Sequence, residues 1–131
     1  MCIRGSSFST NIIPADRRKV INSLKIKLKG QIPVILVSTQ TIEAGVDLDF
    51  DMGFRDFATI CSLIQTAGRI NREGEKSECC PLYIVQLEND NDYVYQLMNL
   101  NLTKDLLNKY SEIEEDDYGK LTEEYYDMEI A

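Results

Sequence analysis

Apolar and polar positions recur along this chain in two periods, and the switches between them mark its elements. Over residues 15–29, Val20, Ile21, Leu24 and Leu28 fall at helical spacing. Pro14 stands where a first helical turn tolerates proline, and Gly30 offers a stop just past the last turn. Residues 33–37 carry an unbroken apolar run, Val34-Ile35-Leu36-Val37, the pattern of a strand covered on both faces. A polar loop containing Gly45 follows. Phe50, Met52 and Phe54 alternate and predict a second, weaker strand over 50–54.

Helical spacing returns over 59–72, with Ile60, Leu63, Ile64 and Ala67 as the buried stripe and Gly74 as the stop. Residues 82–87 predict another strand, with Tyr83, Val85 and Leu87 on one face. A turn at 89–92 leads to helical patterns at 93–101 and 103–110, the second with Thr103 as its cap. Residues 112–117 form an acidic connector, and a last short helix is expected from Thr122 onward. Residues 1–13 predict a loop or a poor strand. Strands separated by helices argue for a parallel α/β sheet. Three strands are few for such a sheet, so either the chain starts late or its first strand is missing.

The 131 residues, 44% of them hydrophobic, suffice for one domain with a real core. No stretch reaches the roughly 20 apolar residues of a membrane span, and the polar start resembles no secretory signal. Cys79 and Cys80 are adjacent, without the spacing of a zinc knuckle, and the chain has no histidine. No metal site is therefore expected, and with Cys2 and Cys61 these thiols fit a reduced, cytoplasmic protein. The net charge of −8 is uneven: residues 1–77 hold 11 Lys/Arg against 8 Asp/Glu, and residues 78–131 hold 3 against 14. Overall acidity thus does not exclude nucleic acid, because a strand can lie on the first part. The basic helix over 15–29 and the late tyrosines read more plainly as a solvated face and as packing.

Two constellations carry candidate chemistry. The first begins where a buried strand ends, at Ser38, Thr39 and Gln40, the place ligands occupy in open α/β sheets. Their hydroxyl and amide groups suit phosphate contacts. Gly45 permits close backbone approach, and Asp47 can accept hydrogen bonds from a ribose. The second is Gln65, Arg69 and Arg72, at helical positions i, i+4 and i+7 opposite the apolar stripe. Two guanidinium groups aimed together clamp phosphate oxygens, and Gly68 opens space beside Arg69. Taken singly, the first is a polar loop and the second a solvated helix face.

Taken together, in this order and on these elements, they resemble the fifth and sixth motifs of superfamily-two helicases. The strings VILVSTQTIEAGVDLDFD and SLIQTAGRINREGE, with STNIIPADRRKVI before them, most resemble the CRISPR-associated helicase-nuclease of type I systems over about residues 8–87. The resemblance implies a RecA-like second helicase lobe over residues 1–88, truncated at its start, and an acidic helical tail over 89–131. It implies that Ser38, Thr39 and Gln40 contact the nucleic-acid backbone or couple it to the nucleotide. Gly45 and Asp47 would lie near the nucleotide, Gln65 would position the attacking water, and Arg69 and Arg72 would reach the γ-phosphate.

ATP and Mg²⁺ are the implied cofactors. The implied partners are an N-terminal RecA-like lobe, single-stranded DNA and a CRISPR surveillance complex, with no membrane. Departures accompany the match. Thr66 stands where many relatives have Arg. No GxxxxGK[ST] loop or acidic Mg²⁺-binding pair occurs, and a His-Asp nuclease cannot be built without histidine. The chain is therefore expected to be a fragment, inactive alone. A general superfamily-two helicase lobe and a non-catalytic binding module of this shape remain the alternatives. The second of these has no need of the Gln65/Arg69/Arg72 face.

Overall fold

The computed structural model describes residues 4–8, 14–39, 47–76, 78–86 and 97–131. Its contacts divide the chain into two units, Met1–Gly53 with Gln65–Leu82, and Phe54–Ile64 with Tyr83–Ala131.

In the first unit, strand β1 (Arg4–Phe8), helix α1 (Pro14–Lys29) and strand β2 (Val34–Ser38) form a βαβ unit. The strands pair in parallel, from Arg4 against Val34 to Phe8 against Ser38. The segment expected to be a loop or poor strand is therefore a strand, and β2 has a partner before it. The polar string Arg4-Gly5-Ser6-Ser7 hides this, because backbone pairing rather than apolar pattern places it. Leu24 of α1 is buried with Leu48, and Val20, Ile21, Leu28, Val34, Leu36 and Phe50 pack around them.

β2 alternates half-buried and exposed residues. Ile35 and Val37 remain 50% and 68% exposed, so the expected cover on both faces is found on one. The stop of α1 also differs from expectation. Gln31, with φ 53°, takes the left-handed conformation one residue beyond Gly30. Its N–H donates to the Leu28 carbonyl, and that of Ile32 donates to the Lys27 carbonyl. These two bonds are a Schellman closure centred on Gln31.

Strands β3 (Gly53–Asp56) and β4 (Leu82–Val85) form a second two-stranded sheet. Gly53 N–H donates to the Pro81 carbonyl and Phe57 N–H to that of Val85, so the two run parallel. The expected strand over 50–54 thus begins later, with Phe50 serving an isolated bridge to Ile70. In β4, Tyr83, Ile84 and Val85 are all exposed, against the one-sided pattern expected for 82–87. Phe54 and Tyr83 stack with ring centroids 5.1 Å apart.

The core of the second unit joins Ile60 of helix α2 (Ile60–Ala67) to Leu106 of α3 (Leu97–Leu107) and to Leu121 and Tyr125 of α4 (Tyr118–Ile130). One continuous helix, α3, runs across the break expected between helices at 93–101 and 103–110, while residues 93–96 lie outside the described residues. The acidic connector closes into a 3-10 turn, Glu115–Asp117, and α4 starts there, before Thr122. Thr103 does not cap α3. It lies fully buried within the helix, donating to the Asn99 carbonyl at 2.9 Å and accepting the Ile60 N–H at 3.1 Å. A helix leaves its first N–H groups without internal partners, and here a side chain 43 residues away satisfies one of them.

Replacing Thr103 with Val removes that acceptor at similar volume and leaves a buried N–H bare. We expect a loss of about 1–3 kcal/mol in the unfolding free energy. Thr103→Ser retains the hydroxyl and should be the more stable variant. Chemical denaturation of both decides the matter: a valine variant as stable as the serine one removes Thr103 from the role of capping α2.

Candidate nucleotide and nucleic-acid site

Leu48 explains how the strand-end loop reaches the basic helix. It is 3% exposed and packs on Leu24. Their chain neighbours Asp47 and Lys25 consequently meet, Lys25 Nζ lying 3.3 Å from Asp47 Oδ2. At the end of β2, Ser38 Oγ donates to the Thr39 carbonyl at 2.8 Å. Ser38 is half-buried and Thr39 exposed. Gln40 and Gly45 lie outside the described residues.

The arginines do not share a helix face with Gln65. α2 ends at Ala67, and Arg69 and Ile70 N–H close short turns onto the carbonyls of Thr66 and Ala67. The chain then bridges to Phe50, whose N–H donates to the Arg69 carbonyl at 2.9 Å and whose carbonyl accepts the Asn71 N–H at 2.8 Å. Pairing with a distant segment thus overrides the helical spacing of residues 68–72. Gln65 remains on α2, exposed, and Thr66 is buried.

The bridged segment carries the arginines to the acidic loop. Arg72 Nη1 stands 3.4 Å from Asp47 Oδ1, and its backbone N–H donates to Asp49 Oδ1 at 2.8 Å. Asp47 therefore takes Lys25 on one oxygen and Arg72 on the other. The hydrogen bond and charge of Lys25, then the charges of Arg72 and Arg69, hold its carboxyl below the ordinary range. Burial, and then repulsion from Arg72, push the Arg69 guanidinium down, while Asp47 opposes them. A guanidinium starts so high that it stays cationic at neutral pH. Lys25 and Arg72 thus pair with one carboxylate, and Arg69 is near enough to add its charge.

A second cluster lies beside it. Lys76 Nζ sits 2.8 Å from Asp51 and 3.6 Å from Asp49. Burial depresses the Lys76 ammonium, but Asp51 and Asp49 together carry it above its ordinary value. Asn71, with φ 47°, grips the main chain of Lys76 from both sides, Nδ2 donating to its carbonyl and Oδ1 accepting its N–H, each at 3.2 Å. Lys25, Asp49, Asn71 and Lys76 were not among the residues singled out from the sequence. Asp49 and Asn71 do lie within the strings that carry the resemblance, and asparagine tolerates a left-handed backbone.

Residues 3–75 match a family described as CRISPR-associated nuclease/helicase Cas3, C-terminal. The chain belongs to this family. A Cas3 nuclease/helicase of Methanothermobacter thermautotrophicus is 33% identical over 94 residues, covering 69% of this chain and 11% of that protein. The corresponding protein of Haloferax volcanii is 48% identical over 62 residues, 47% of this chain and 7% of its own length.

T. fusca Cas3 crystallised with ATP superposes with a TM-score of 0.77 at 21% identity, over 97% of this chain and 17% of that one. A chain of a CRISPR RNA-guided surveillance complex, pre-nicking, superposes with a TM-score of 0.69 at 22% identity, over 98% of this chain and 18% of that one. The likeness establishes the RecA-like α/β fold expected from the motifs. The Cas3 relatives are several times longer than this chain. Among the described residues, no helix is long and apolar enough to cross a membrane.

The geometry makes a direct prediction for Asp47. Lys25 is the first cause of its lowered pKa, so Lys25→Met should move the Asp47 titration toward higher pH. Carbon-13 NMR of the carboxyl group reads this directly. An unchanged titration would mean that the arginines, not Lys25, hold the carboxylate.

Proposed function

We propose that this chain is the second motor lobe of an ATP-dependent DNA helicase acting in CRISPR interference in the cytoplasm. On this reading, residues 1–88 belong to the lobe and 89–131 open a further helical region. The observation carrying the proposal is the 3.4 Å pair between Asp47 and Arg72, which joins the strand-end loop to the arginine segment. Guanidinium and ammonium groups around an exposed carboxylate fit phosphate oxygens by their chemistry, because each presents charged N–H donors. ATP would bind in the cleft against an N-terminal RecA-like lobe, supplying the phosphoanhydride bond whose cleavage drives movement. Among the described residues no three His, Cys, Asp or Glu gather as a metal site. We assign the Mg²⁺ ligands to the opposite lobe.

Each residue then has a separate task. Arg72 and Arg69 bear on the γ-phosphate and neutralise charge that develops in the transition state, one of them as the arginine finger. Gln65 orients the attacking water. Asp47 accepts hydrogen bonds from the ribose and holds Arg72 by its carboxylate until a nucleotide competes, and Gly45 too serves the nucleotide. Ser38, Thr39 and Gln40 meet the single-stranded DNA backbone through neutral hydrogen bonds. A surveillance complex would deliver that DNA.

In the full-length helicase, Arg72→Ala or Arg69→Ala should lower kcat for ATP hydrolysis by about 10³-fold or more, with a smaller effect on KM. Steady-state ATPase assays measure this, and losses below about tenfold for both variants would overturn the assignment of the finger. Thr39→Ala should instead weaken single-strand binding by about three- to tenfold, the worth of one neutral hydrogen bond. The salt dependence of binding should barely change, because no charge is lost. Binding titrations at two salt concentrations test it. If affinity is unaltered and the basal ATPase collapses, Thr39 serves the nucleotide.

A further inference from the structure

The aim of Arg72 has no helix to set it, since α2 ends five residues earlier, at Ala67. What the structure provides instead is a closed loop. Asn71 clasps Lys76 through both of its main-chain polar groups. Within that closure Gly74 takes φ 64°, its N–H donating to the Asn71 carbonyl at 2.9 Å. Arg72 is the first residue inside the loop. Its own N–H is held by Asp49 at 2.8 Å, and Asp49 is tied in turn to the Lys76 ammonium. The main chain at and around Arg72 is thereby held by the side chains of Asn71 and Asp49.

We propose that Asn71 and Asp49 are positioning residues, which aim the Arg72 guanidinium by clamping the loop that carries it. The inference rests on the reading of Arg72 as a nucleotide-contacting arginine. Asn71 suits its place because it accepts a left-handed backbone and still offers one donor and one acceptor. Asp49 suits its place because one oxygen can take the Arg72 N–H while its charge holds Lys76. Displacement of a catalytic group by about 1 Å costs on the order of 10²-fold in rate, so a loosened clamp shows in turnover before it shows in binding.

Full-length helicase carrying Asn71→Gly keeps the left-handed backbone and loses only the clasp. Its kcat for ATP should fall by about 10²-fold while KM stays within about threefold. Placed in an Arg72→Ala background, the same change should add almost nothing, since it acts through Arg72. For a second pair, Asp49→Ala should lower kcat, and Asp49→Asn, whose amide oxygen still accepts the Arg72 N–H, should restore most of it. This pair decides the question should Asn71→Gly fail to fold.

A wild-type kcat in Asn71→Gly, or a loss that multiplies with that of Arg72→Ala, sinks the inference while leaving Arg72 in its role. Equal loss in Asp49→Ala and Asp49→Asn does the same. A loss below about tenfold in Arg72→Ala itself sinks the reading of the arginine, and the inference falls with it.

Discussion

Two backbone hydrogen bonds between Phe50 and the residues flanking Ile70 hold the candidate site together. They hold the turns that follow the end of α2 at Ala67 beside the acidic loop. An unbroken helix would have satisfied the same backbone groups internally and spaced Arg69 and Arg72 one turn apart on its surface. The bridge substitutes partners from another segment, so no polar group is lost, and it brings Arg72 within reach of both Asp47 and Asp49. Ile70 then lies beside Gly53, where a Cβ would stand only 3.0 Å from the Ile70 and Leu82 side chains. Glycine at that position leaves the room that the bridge requires.

The electrostatics follow from this placement. Asp47 is well exposed, so its pairs with Lys25 and Arg72 are solvent-screened and contribute little to stability. Their importance is directional. The carboxylate brings Lys25 and Arg72 to one place, one on each of its oxygens. The chain's overall negative charge does not oppose this, because Asp and Glu concentrate in residues 78–131, beyond the arginine segment. Lys76 balances Asp49 and Asp51 locally.

In the second unit, burial rather than charge is decisive. Ile60, Leu106, Leu121 and Tyr125 close a core across helices α2, α3 and α4. The acidic residues of the tail lie around it, and Tyr110 adds a hydrogen bond to Glu124 at 3.3 Å. Tyr125 and Tyr110 are packing residues here, which agrees with the plainer reading of the late tyrosines. Burial raises the Tyr125 hydroxyl pKa, as expected for a phenol withdrawn from water.

Local patterns alone determined much of this protein. Helical spacing marked α1, the first two turns of α2 and the presence of late helices, and the apolar run marked β2. The paired STQ/GVD and QxxGRxxR strings pointed to the helicase family and its RecA-like fold before any coordinates. Those signals are short-range, carried by residues within a turn or a strand of one another. Tertiary structure decided what depends on partners far along the chain: β1 with its polar sequence, the early end of α2, and Thr103 as a distant cap. It also decided that Lys25 meets Asp47 across 22 residues and that Asp49 meets the Arg72 N–H across 23. A hydrogen bond between remote segments leaves no periodicity in either one, so its donor and acceptor become visible only when the chain has folded.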